Sequence, residues 1–124
     1  MIDHISVGVV DLDKSTEFYV SIFSTLGISK LIEKPGTVGF GKKYPEFWLN
    51  HRPDKELSDL DNGCHICLRA SSIEIVNVFY RTAVKLGATA SGAPAYRPEY
   101  HDRYYAAFVK DRDHNHIEVV TFVQ

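Results

Sequence analysis

The feature that most constrains this chain is an internal repeat. Slid by 61 residues, "HIS…EFY" (His4, Ile5, Phe18, Tyr19) falls on "HIC…VFY" (His65, Ile66, Phe79, Tyr80). Each copy opens with a strand, 2–10 and 64–70. An amphipathic helix follows, about 12–26 in the first copy and 72–86 in the second. Asp11 or Asp13 serves as the first N-cap and Ser71 or Ser72 as the second, and Gly27 and Gly87 fit the C-terminal ends. Phe18, Ile22 and Leu26 form one apolar helix face, and Ile75, Val76, Phe79 and Ala83 the other. Shorter strands come next: "ISKLIEK", "TVGFG" and "EFWLN", then a piece near 88–92, "RYYAAFVK" and "HIEVVTFV". The pattern is βαβββ twice, an α+β fold. The modules cover about 1–50 and 64–124, with a charged linker at 51–63.

A length of 124 residues suits one domain built from these modules. Net charge is −2 and no Lys/Arg stripe stands out, so nucleic acid is not an expected partner. No apolar run approaches a membrane span and no secretory signal opens the chain, which makes a cytoplasmic protein the expectation. Cys64 and Cys67 are spaced C-x-x-C, but no second such pair completes a zinc site, and two small buried thiols are expected. "GTVGFG" does not run from strand into helix, so it is not a dinucleotide fingerprint.

The last strand carries the clearest chemical question. In "HIEVVTFV", Ile117, Val119, Thr121 and Val123 share one face, and His116, Glu118, Val120 and Phe122 the other. Both faces are largely apolar. A carboxylate at Glu118 therefore needs a partner from elsewhere in the chain.

Two βαβββ modules, "DHISVGVVDLDKSTEFY" and "FVKDRDHNHIEVV" together resemble the vicinal oxygen chelate superfamily: glyoxalase I, extradiol dioxygenases, and fosfomycin- and bleomycin-resistance proteins. The second stretch is similar to that family's Asp-Pro-Asp-Gly-Asn-x-x-Glu turn, departing at Arg112 and His114. The resemblance implies a curved mixed sheet around a central cleft. It also implies a metal that chelates oxygens of a small-molecule substrate and stabilises an enediolate, a catecholate or an alkoxide.

Strand parity bears on the same idea. His4 shares its face with Ile2, Ser6 and Gly8, and His65 with Cys67 and Arg69. His4, His65 and Glu118 then make a two-histidine, one-carboxylate set for a divalent metal ion such as Fe, Mn, Zn or Ni. A fourth ligand depends on how the first module's last strand aligns. Starting the apolar run at Phe47 puts Trp48 opposite Glu118, which is the favoured alignment. A shift of two puts Glu46 there.

The stretch 91–105, "SGAPAYRPEYHDRYY", reads as a long loop. In it His101 is the candidate acid/base, with Tyr104 or Tyr105 beside the substrate; these two alternate faces, so only one can enter the cleft. Arg69, Trp48 and Tyr100 complete the substrate contacts. His51 and His114 read as solvated. The alternative function is a metal-free small-molecule-binding protein. A homodimer is expected in either case, since an open curved sheet leaves edges to cover.

Overall fold

Two four-stranded mixed sheets, each backed by one helix, make up the computed structural model, which describes residues 1–124. The chain divides into two compact units, Met1–Leu57 and Ser58–Gln124.

In the first unit, strand β1 (Ile5–Val9) leads to helix α1 (Leu12–Ser24), then to β2 (Ser29–Lys34), β3 (Thr37–Gly41) and β4 (Phe47–His51). The strand order is β1-β4-β3-β2, with β1 parallel to β4 and the other pairs antiparallel. Asp11 is the N-cap of α1, its side chain accepting from the Lys14 N–H at 3.1 Å. Asp13 in the first turn suits the positive end of the helix dipole. Phe18, Tyr19, Ile22 and Phe23 recur at helical spacing and are buried. They meet alternate residues of the sheet: Phe23 packs edge-on against Phe47 at 4.9 Å, and Tyr19 lies 5.2 Å from the same ring. Gly27 ends the helix at φ +74°, a value that disfavours other residues.

The second unit repeats this plan as β5 (Ile66–Arg69), α2 (Ile73–Lys85), β6 (Thr89–Tyr96), β7 (Tyr104–Lys110) and β8 (His116–Phe122), in the order β5-β8-β7-β6. Ser72 caps α2, accepting from the Ile75 N–H at 3.2 Å. Val76, Phe79 and Ala83 are buried, as are Ala107, Val109, Ile117 and Val119 on the sheet. Tyr105 donates its hydroxyl to Asn77 of α2 at 2.8 Å, which fixes the helix side of this sheet.

The expected long loop at 91–105 is mostly strand. β6 runs on through Tyr96, and only residues 97–103 connect it to β7. Pro94 sits in an edge strand, inside the register shift between Gly92 and Ala95, where its missing N–H donor is tolerated.

Candidate functional site

The site is built on the face of the second sheet that α2 does not cover. Cys67 of β5 and Phe108 of β7 both stand in register with Glu118 of β8. Tyr104 pairs with Phe122 and Ala106 with Val120 on that same face. Glu118 is only 3% exposed, so its charge must be answered locally.

Two side chains answer it. His65, one residue before β5, brings Nε2 to 3.0 Å from Oε1 of Glu118. Tyr104 donates its phenol O–H to Oε2 in a short hydrogen bond. Each oxygen of the carboxylate therefore has its own partner. Burial first, and the bond to Glu118 second, push the Tyr104 phenol up from its ordinary value. Cys67 sits beside both groups. Its thiol is raised to about 12, by the low-dielectric surroundings first and by the Glu118 charge second, although the residue at this sheet edge stays exposed.

Aromatic rings continue this surface. Tyr100 packs on Tyr104 at 5.2 Å, Tyr104 on Phe122 at 5.3 Å, and His101 on Phe122 at 5.9 Å. The Arg69 guanidinium lies 4.9 Å from the centre of the Phe122 ring. A cleft of about 420 Å³ in this unit is lined by His65, Tyr100, Phe108, Lys110 and His116 among others.

Several sequence expectations need correction. Tyr105 does not share this surface; strand alternation turns it to α2 and Asn77. His101 accepts the Arg103 backbone N–H on Nδ1 at 3.0 Å. The same nitrogen lies 3.2 Å from Asp102 Oδ1, so the partners of Nδ1 both come from the 97–103 connection. Cys64 and Cys67 are free and exposed, not buried: Cys64 precedes β5, and Cys67 lies on β5 at the edge of its sheet. His114 is not simply solvated: it adopts φ +64°, and its Nδ1 lies 3.0 Å from the Ser58 carbonyl oxygen.

The register also decides between the two alignments of the first module. Trp48 of β4 pairs with Ser6 and Gly39, as Glu118 pairs with Cys67 and Phe108. Trp48 thus holds the position equivalent to Glu118, and exposed Glu46 falls two residues earlier, in the place of His116. His4 precedes β1 in the first unit, with Nδ1 2.7 Å from Asp3 Oδ1. Neither unit gathers three His, Cys, Asp or Glu side chains into a metal-holding set.

Sequence reasoning placed Phe122 on the face of Glu118 but gave it no role. That shared parity was the signal available for it.

The family model described as the Glyoxalase/Bleomycin resistance protein/Dioxygenase superfamily matches residues 1–119. A glyoxalase/bleomycin resistance protein from Albidiferax ferrireducens T118 is 26% identical, with a TM-score of 0.83 and 98% of each chain covered. A glyoxalase/bleomycin resistance protein/dioxygenase family enzyme from Burkholderia phytofirmans PsJN is 18% identical at a TM-score of 0.77, again covering 98% of each chain. A variant of the fosfomycin resistance protein FosX from Listeria monocytogenes, complexed with Mn(II) and 1S,2S-dihydroxypropylphosphonic acid, is 18% identical at a TM-score of 0.72. That match covers 96% of this chain and 87% of the FosX chain. No curated protein matches significantly.

Proposed function

Because the chain belongs to the glyoxalase/bleomycin resistance protein/dioxygenase superfamily, we propose that it is a divalent-metal-dependent enzyme acting on a small oxygen-bearing substrate. The metal ligands are His65 and Glu118, with His4 of the same chain or of a partner copy. The observation that carries this reading is the 3.0 Å separation of His65 Nε2 and Glu118 Oε1. Two donors at right angles with bonds of about 2.1 Å lie about 3.0 Å apart, so the pair has the spacing of neighbouring ligands. When bound, a divalent ion supplies Lewis-acid stabilisation of negative charge on a chelated substrate oxygen.

The remaining work belongs to this chain's own residues. Tyr104 holds Oε2 of Glu118 and leaves Oε1 as the ligand atom. Asp3 engages His4 Nδ1 and leaves Nε2 as the free donor. Tyr100, Tyr104 and Phe122 offer an apolar wall to the substrate's carbon skeleton and exclude water from its reacting end. His101, edge-on to Phe122, stands beside that wall as a polar group next to the substrate. The reaction falls among the lyase/isomerase, dioxygenase and transferase chemistries of the resemblance.

One observation favours a second reading, a metal-free small-molecule-binding protein. Both Glu118 oxygens already have protein partners, so the hydrogen bonding of the buried carboxylate is met without an ion. Melting of chelator-stripped protein separates the two. Added Mn, Fe, Ni or Zn raises the melting temperature of the wild type but not of Glu118→Gln if the first reading holds. Equal curves with and without every ion leave only the second.

A homodimer and a cytoplasmic location complete the proposal. The edge strands β1 and β5 give a partner copy main-chain groups to cover, and both cysteines are free, as in a reducing compartment. No helix is long and apolar enough to cross a membrane. Light scattering at tens of micromolar tests the assembly: twice the 14.0 kDa chain mass is expected, and a 14.0 kDa species alone overturns it.

A further inference from the structure

Residues 58–63, which lead into β5, form neither helix nor strand, and none of their side chains is buried. Even Leu60 is 82% exposed. Apolar packing therefore does not hold this stretch where it lies. Most of its hydrogen bonds are local. The Leu60 N–H donates to Ser58 Oγ at 3.1 Å, the Gly63 N–H to Asp61 Oδ1 at 2.8 Å, and the Cys64 N–H to Asn62 Oδ1 at 2.9 Å. The one polar tie from residues 58–63 to the rest of the unit goes to His114.

His114 lies in the turn between β7 and β8. Its Nδ1 is 3.0 Å from the Ser58 carbonyl oxygen and 3.3 Å from Asp59 Oδ1. A carbonyl oxygen only accepts, so Nδ1 carries the proton of that bond. Asp59 is 86% exposed, so its attraction is screened and the Ser58 bond is the firmer of the two. The turn that presents the imidazole is itself well held. The His114 N–H donates to the Asp111 carbonyl oxygen at 3.0 Å, and Asp111 Oδ1 accepts the Asp113 and Asn115 N–H groups at 2.9 and 2.8 Å. A braced turn thus reaches out to a segment with no other anchor.

The place of the segment sets what it can do. Asp59, Asp61 and Gly63 line the cleft of about 420 Å³ together with His65, Phe108 and Lys110. We infer that residues 58–63 are a strap closing one side of the substrate cleft, and that His114 is the latch that holds it shut. The inference rests on the reading of that cleft as the substrate site. A stretch without buried side chains, held by one imidazole, opens far more readily than the sheet beneath it. Ligand then reaches His65 and Lys110 by release of the latch, while the sheet that carries Glu118 stays folded. His114 is accordingly a positioning residue: it sets the wall that the substrate meets.

Two measurements on chelator-stripped protein test this. Hydrogen exchange followed by mass spectrometry reads the latch, and acetylation of Lys110 by N-acetoxysuccinimide reads the access it controls. His114→Gly is the informative variant, because φ is +64° there and glycine adopts that backbone without strain while losing the imidazole. It should speed exchange of the 58–64 amides about tenfold or more and leave the β8 amides unchanged. Half-buried Lys110 should be acetylated roughly threefold faster or more, and exposed Lys85 of α2 at the wild-type rate. His114→Asn tolerates the same backbone and keeps an N–H donor, so it should restore part of both effects. Unchanged exchange at 58–64 in His114→Gly overturns the latch, and so does a rise shared equally by β8. Faster exchange with unchanged acetylation of Lys110 overturns the strap as a barrier to the cleft. Neither measurement needs a metal ion. A strap that behaves as stated in a protein whose melting no ion shifts leaves this inference standing and removes only the metal reading.

Discussion

Trp48 stands in the first sheet where Glu118 stands in the second, each flanked in register by the first and third strands of its own module. The position between Ser6 and Gly39 takes an indole; the one between Cys67 and Phe108 takes a carboxylate. The indole needs a flat neighbour. A Cβ on Gly39 would lie 2.9 Å from the Trp48 ring.

That contact yields a coupled pair of mutations. Gly39→Ala should destabilise the protein by about 1–3 kcal/mol, the usual cost of overpacking. In a Trp48→Ala background the same change should cost less than half as much, since the ring it strikes is gone. Urea denaturation of the four proteins in the cycle measures the coupling. Equal costs in both backgrounds would show that the indole does not rest on Gly39.

Tyr104→Phe removes only the hydroxyl that holds Glu118 Oε2. Metal affinity should drop tenfold or more, as when an outer partner of a ligating carboxylate is lost. Titration of Mn(II) by calorimetry reads this directly. Unchanged affinity would mean that the phenol does not position the carboxylate.

Cys67 should resist alkylation. Its thiol is raised from 9.0 to about 12, so little thiolate exists near pH 9. Iodoacetamide at that pH should modify Cys64 at least tenfold faster, as followed by peptide mass spectrometry. Glu118→Gln removes the neighbouring charge and should speed the reaction at Cys67. The stability linked to this thiol is fully present below pH 9 and is lost as pH rises through about 12.

His101 now has a smaller predicted role than its sequence neighbourhood suggested. His101→Ala should cost about 0.5–1.5 kcal/mol through the lost bond from the Arg103 N–H and the contact with Phe122. Metal affinity should not change. Turnover that falls a hundredfold while affinity holds would restore the role of general base.

How far the sequence could be read follows from which signals are periodic. The repeat, the helix faces and the parity of Glu118 are all carried by regular spacing. Phe18, Phe79 and Glu118 accordingly lie on the faces their spacing assigns, and Asp11 and Ser72 are the caps. Partner identity is a tertiary property, so Tyr104 and His65 as the two partners of one carboxylate could be suspected but not paired. β6 was misread because bulges and an edge position let Pro94 sit inside a strand.

The central claim is that His65 and Glu118 are two ligands of one divalent ion. The most direct test is the metal content of protein purified without chelators, by mass spectrometry of the wild type and of Glu118→Gln. The account predicts about one divalent ion per chain in the wild type and a small fraction of that in the variant. Wild-type protein that is metal-free, and stays so after dialysis against Mn(II), Fe(II), Ni(II) and Zn(II), would contradict it.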